Sequence, residues 1–129
     1  MIKIDRIDHV VLTVFDIDRT IDFYARVLGM EAVTFAGGWR GLSFGRQKFN
    51  LHQAGREFEP KALKPAPGAM DFCLVTATPL AQVMESLKSH GVAIIEGPVD
   101  KTGALVPIKS VYFRDPDGNL VEVSNYDAT

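Results

Sequence analysis

The chain has 129 residues, 47% hydrophobic and 23% charged, with a formal net charge of -2. That length allows one domain, or two small halves sharing a core. It carries no basic run of the kind that marks a nucleic-acid footprint, no apolar stretch near the roughly 20 residues of a membrane span, and no apolar signal core in its first six residues.

Arg6 to Val14 is β-branched and apolar and predicts a strand. Asp16 and Asp18 then offer a helix N-cap, and Ile17, Ile21, Tyr24, Val27 and Leu28 follow at helical spacing up to Gly29, a C-cap. Three strand-like runs come next, at about 30–36, 39–44 and 47–53, punctuated by Gly37-Gly38 and Gly45. Residues 54–68 carry Pro60, Pro65 and Pro67 and read as a semi-stiff linker that rims a cavity. The same order then returns. Ala69 to Thr76 is a strand, Pro79 opens a helix whose Leu80, Val83, Met84 and Leu87 share a face, and Gly91 ends it. Strands at about 92–96, 108–114 and 119–124 complete the second set, with a longer middle connection that holds Gly97-Pro98 and Pro107.

The halves can be brought into register, since His9 precedes Gly29 by 20 residues and Asp71 precedes Gly91 by 20. His9 and Asp71 thus take equivalent places on the first strand of each half. At the other end, Asp115-Pro116-Asp117-Gly118 is a turn, with φ fixed at Pro116 and positive φ tolerated at Gly118. After it, Val121 and Val123 share one strand face and Glu122 takes the other. A carboxylate on an enclosed face needs a cation, a donor or a metal. Asn50 corresponds to Glu122, and His52 shares the face of Asn50. Four polar positions therefore converge in two-fold fashion: His9, Asn50 or His52, Asp71 and Glu122.

Each has a plainer reading. His9 would serve equally as a core or interface histidine, Glu122 as the partner of an Arg or Lys, and Asp71 as an acceptor bonded to His9 or His52. Only one of Asn50 and His52 need reach the centre. His90 suits a helix C-terminus, Cys73 reads as an inert thiol, and Trp39, Phe44 and Tyr112 either line a pocket or fill the core. With no second cysteine for a disulfide, a reducing, cytoplasmic location is expected.

Two βαβββ modules (about 5–53 and 69–126), Ile7-Asp8-His9-Val10, the helix end Asp22 to Met30, and Phe113 to Glu122 together resemble the vicinal oxygen chelate superfamily. Its members include glyoxalase I, extradiol dioxygenases, fosfomycin-resistance transferases, methylmalonyl-CoA epimerase and bleomycin-binding proteins. Asn50-Leu51-His52 and Pro67 to Leu74 resemble the subgroup of vertebrate glyoxalase domain-containing protein five. The resemblance implies an α+β fold of curved, barrel-like sheets with outer helices, a homodimer, and a divalent metal (Zn²⁺, Ni²⁺, Mn²⁺ or Fe²⁺) on the inner wall. Carried over by position, His9, His52, Asp71 and Glu122 are the metal candidates, and Glu122 and His52 the catalytic ones. Asp71 stands where most members have a second His. That departure argues against glyoxalase I itself and against the dioxygenases, which use two His and one carboxylate. The implied function is a glyoxalase-like lyase or isomerase acting on a small oxygenated metabolite. The alternatives are an extradiol-type dioxygenase and a metal-free protein that sequesters a toxic small molecule.

Overall fold

The computed structural model describes residues 1–126. The chain forms two compact units, divided between Pro67 and Gly68. Among the described residues there are eight strands and two α-helices, an α+β arrangement as the sequence implied.

The first unit runs β1 (His9–Val14), α1 (Ile17–Leu28), β2 (Glu31–Phe35), one turn of 3-10 helix (Ala36–Gly38), β3 (Trp39–Phe44) and β4 (Gln47–Gln53). Its sheet has the order β1-β4-β3-β2. β1 lies parallel to β4 and the other pairs are antiparallel. The Asp16 side chain accepts the Arg19 N–H at 3.1 Å, so the predicted N-cap forms, and Gly29 supplies the left-handed C-cap at φ 69°. The apolar face of α1 buries Ile21, Tyr24 and Val27, and the sheet contributes Leu12, Leu42, Phe49 and Leu51 to the core. Tyr24 meets Phe49 edge-on at 5.8 Å.

The second unit repeats the plan with β5 (Asp71–Val75), α2 (Leu80–Ser89), β6 (Glu96–Thr102), β7 (Pro107–Arg114) and β8 (Leu120–Tyr126), in the order β5-β8-β7-β6. Here α2 buries Leu80, Val83 and Leu87, and the sheet contributes Val111, Phe113, Val121 and Val123 to the core. Burying a side chain such as Leu87 stabilises by about 2 kcal/mol. Pro79 has no side chain able to cap α2, and Asn125 does so from β8: its Oδ1 accepts the Leu80 N–H at 2.9 Å, while its Nδ2 donates to the Thr76 and Thr78 carbonyls. Each sheet is open, with its helix on one face.

One strand differs from its prediction. β6 occupies Glu96–Thr102, within the stretch that the sequence marks as a connection, and 92–95 forms no strand. Gly97-Pro98 suggests a loop, but β6 is an edge strand, where a missing N–H leaves no ladder bond unmade. The pairing with β7 slips between Glu96 and Val99. Gly97 has φ 123°, and a Cβ there would lie 2.6 Å from the Ser110 carbonyl oxygen, so only glycine fits this close approach. Among the described residues no helix is long and apolar enough to cross a membrane.

Candidate functional site

The Asp115 to Asn119 turn sets the geometry of the second unit. Gly118 N–H donates to the Asp115 carbonyl at 3.0 Å. The buried Asp115 carboxylate accepts the N–H groups of Asp117 and Asn119, both at 2.9 Å, and the Asn119 side-chain amide at 2.8 Å. Asn119 in turn accepts the Met70 N–H through Oδ1 at 2.9 Å. The turn thereby anchors the start of β5 to the start of β8, and Asp71 pairs with Leu120 and Cys73 with Glu122.

Glu122 therefore projects from the face opposite the buried Val121 and Val123, between Cys73 on β5 and Tyr112 on β7. It is held there. Ser110 Oγ donates to Glu122 Oε2 at 2.6 Å, and Ser110 and Ser124, both wholly buried, lie 2.6 Å apart. Burial, followed by the hydrogen bond to Glu122 and the charges of Glu122 and Glu96, pushes the Tyr112 phenol up to about 12. The Cys73 sulfur lies 3.1 Å from Ser124 Oγ. Burial raises its pKa, the Ser124 hydrogen bond opposes the rise, and Glu122 adds to it. A thiol so disposed is a poor nucleophile. Asp71 stands exposed at the start of β5, one diagonal step from Glu122.

In the first unit, His9 begins β1 with its ring partly exposed, and its Nδ1 donates to Asp8 Oδ1 at 2.9 Å. That bond lowers the Asp8 pKa. A carboxylate that accepts from Nδ1 leaves Nε2 turned away from it, the arrangement found behind metal-ligating histidines. Asn50 pairs with Val11, so it is the diagonal neighbour of His9 and the counterpart of Glu122 in the repeat. His52 pairs with Thr13, four positions beyond the Lys48 that faces His9, or roughly 13 Å along the strand. Of the two candidates on β4, Asn50 is the one that the register sets beside His9. His52 is 6% exposed, and burial lowers its pKa, so the ring is held neutral.

The surroundings of His52 are aromatic. Phe58 stacks on Trp39 with centroids 3.8 Å apart and lies 4.1 Å from the His52 ring. On the same face, the buried Asn50 Oδ1 has no hydrogen-bond partner among the described residues. Neither unit by itself gathers three or more described His, Cys, Asp or Glu side chains in position to hold an ion. Each offers two candidate donors: His9 with Asn50, and Asp71 with Glu122. Within either unit the donor types, imidazole with amide or two carboxylates, suit a borderline-to-hard divalent ion.

Sequence reasoning missed Ser110 and Ser124. Their only signal is that they alternate with Tyr112 and Glu122 on one strand face. It also missed Phe58, which no periodicity marks.

Residues 6–123 match the Glyoxalase/Bleomycin resistance protein/Dioxygenase superfamily. Virulence protein STM3117 of Salmonella typhimurium is 56% identical over 123 residues, spanning 95% of this chain and 85% of that protein. Glyoxalase domain-containing protein RDO1 of Mycosarcoma maydis is 52% identical, over 97% of this chain and 70% of that one. The solved integron cassette protein VCH_CASS1 from the mobile metagenome of V. cholerae superposes with a TM-score of 0.97 at 54% identity, covering 98% of this chain and 99% of that chain. At lower identity the fold alone is shared. Lactoylglutathione lyase from Agrobacterium tumefaciens gives a TM-score of 0.70 at 24% over 94% of this chain and 93% of its own. TnmS3, an antibiotic binding protein from Streptomyces sp. CB03234, gives 0.74 at 20% over 97% and 98%.

Proposed function

The chain belongs to the Glyoxalase/Bleomycin resistance protein/Dioxygenase superfamily, and from that footing we propose that it is a glyoxalase-like metal-dependent enzyme, a lyase or isomerase acting on a small oxygenated metabolite. The observation that carries this reading is the way Glu122 is held: the buried hydroxyls of Ser110 at 2.6 Å and Ser124 at 3.4 Å fix a carboxylate on the sheet face opposite Val121 and Val123. Folding alone does not require that, because Val121 and Val123 already anchor β8.

In this proposal His9, Asp71 and Glu122 would each be a ligand to divalent metal (Zn²⁺, Ni²⁺, Mn²⁺ or Fe²⁺). The ion, when bound, would polarise adjacent oxygens of the substrate. Glu122 doubles as the base that takes a proton from the substrate carbon beside its carbonyl. Ser110 and Tyr112 keep that carboxylate oriented while the proton moves, and Asp8 keeps the His9 ring in one tautomer. His52, neutral and buried, serves the substrate cavity as a polar wall. The protein acts as a homodimer in the cytoplasm. An extradiol-type dioxygenase is disfavoured, because Asp71 replaces the second histidine of that chemistry.

A metal-free protein that sequesters a toxic small molecule is the second reading, favoured by the stacked rings of Trp39, Phe58 and His52. Metal analysis decides between them. Stoichiometric metal that is lost in His9→Ala and Glu122→Ala variants supports the enzyme. Protein that stays metal-free after loading with Zn²⁺, Ni²⁺, Mn²⁺ and Fe²⁺ supports the binder. In a methylglyoxal–glutathione assay, Asp71 leads us to expect weak turnover or none.

A further inference from the structure

The turn after β4 folds an aromatic ring back onto the sheet. Arg56 N–H donates to the Gln53 carbonyl at 2.9 Å, and Gly55 at φ 84° takes the positive angle that the third turn position demands. The Glu57 carboxylate then accepts the Gly55 N–H at 2.9 Å. Beyond Glu57 the hydrogen bonding stops. Among the described residues no hydrogen bond holds Phe58, and its ring contacts are what fix it.

Those contacts have the geometry of a bound planar molecule. Phe58 lies 24° from parallel with Trp39 at 3.8 Å and 36° from the His52 plane at 4.1 Å. On globular surfaces exposed aromatic rings more commonly meet edge-on or offset than in so close a stack. Asn50 sits two residues from His52 on the same strand face, with its amide oxygen buried and lacking a donor. A buried acceptor left in that condition is costly unless something supplies the missing N–H or O–H.

We propose that Phe58 is an intramolecular stand-in for a ligand. The Trp39–Phe58–His52 stack is a slot for a planar aromatic molecule that carries a hydroxyl or N–H donor; the incoming ring displaces Phe58, and its donor satisfies Asn50 Oδ1. The inference rests on the reading of this face as a substrate cavity, but not on the metal, and the two fail separately. Loss of metal binding leaves the slot intact, and an empty slot leaves the ion's ligands untouched.

The test is calorimetric titration with 1-naphthol, 1-methoxynaphthalene (same ring, no donor) and decahydro-1-naphthol (same size, no planar ring), with and without EDTA. We expect 1-naphthol to bind at least tenfold more tightly than the saturated alcohol, independently of EDTA. Phe58→Ala and Phe58→Leu remove the competing ring and should tighten binding roughly three- to tenfold. Trp39→Leu should weaken it by tenfold or more, and Asn50→Leu should erase the preference for naphthol over its methyl ether. Weaker binding in both Phe58 variants would make that ring a wall of the site rather than a stand-in, and would overturn the proposal. So would equal affinity for the flat and the saturated alcohols, or no naphthol binding to either wild-type or Phe58→Ala protein.

Discussion

Ser110 donates to Glu122 across the β7–β8 pair at 2.6 Å, from a position with no solvent exposure. A hydroxyl so placed fixes one oxygen of the carboxyl group, and Tyr112 stands directly opposite Glu122 in the register. The phenol owes part of its high value to this carboxylate. Glu122→Gln should therefore bring the highest tyrosine ionisation down from about 12, read as tyrosinate absorbance in a near-ultraviolet titration. Tyr112→Phe identifies which of the tyrosines is moving. Ser110→Ala should destabilise the fold by about 1–2 kcal/mol in urea denaturation.

Cys73 reports on the same cluster through its reactivity. Its pKa is raised first by burial and further by Glu122, so iodoacetamide should alkylate it more slowly than it does a free cysteine peptide at neutral pH. Two variants should act in opposite directions. Glu122→Gln removes a neighbouring negative charge and should speed alkylation, whereas Ser124→Ala removes the hydrogen bond that favours the thiolate and should slow it. Mass spectrometry of the modified chain gives both rates.

His52 gives the stability a pH dependence of definite sign. Its pKa in the folded protein lies below the ordinary 6.5, because burial disfavours the charged ring. Above about pH 7.5 neither state holds the proton, and the group contributes nothing. As the pH falls through 6.5 the unfolded chain takes up a proton that the folded chain refuses, so stability declines until the folded-state value is passed. The stability advantage of wild type over His52→Gln should therefore shrink between pH 7.5 and 5.5. Urea midpoints at several pH values measure it.

Asn125 caps a helix to which it does not belong. Asn125→Ala removes the acceptor for the Leu80 N–H and the donors to two carbonyls, and should cost about 2 kcal/mol. Asn125→Asp keeps the acceptor and loses the donors, and should fall between wild type and alanine. Chemical denaturation followed by circular dichroism distinguishes the three proteins.

Much of this architecture could be read in the residues. The repeat, both helices with the Asp16 cap and Gly29 stop, and the placement of Glu122 on the face opposite Val121 and Val123 all follow from local periodicity and turn chemistry, which act over a few residues. β6 departs from its prediction because Gly97-Pro98 is a loop signal in isolation, and only the strand's place at the sheet edge makes it harmless. The separation of His9 from His52 depends on the pairing of β1 with β4, and shared facing along β4 says nothing about that distance. Phe58 lay hidden for a third reason: its position is set by a turn and by rings far apart in sequence, so no local pattern encodes it.

In both units the opening strand lies parallel to the closing one, Leu12 beside Leu51 and Leu74 beside Val123. Contacts that distant in sequence form late, because the loop must close before they repay its entropy. During translation β1 thus waits without its neighbour until β4 has been synthesised, and β5 waits likewise for β8. A chain cut short just before Leu120 would leave β5 without the strand it pairs with, so the arrival of β8 decides whether the second unit closes.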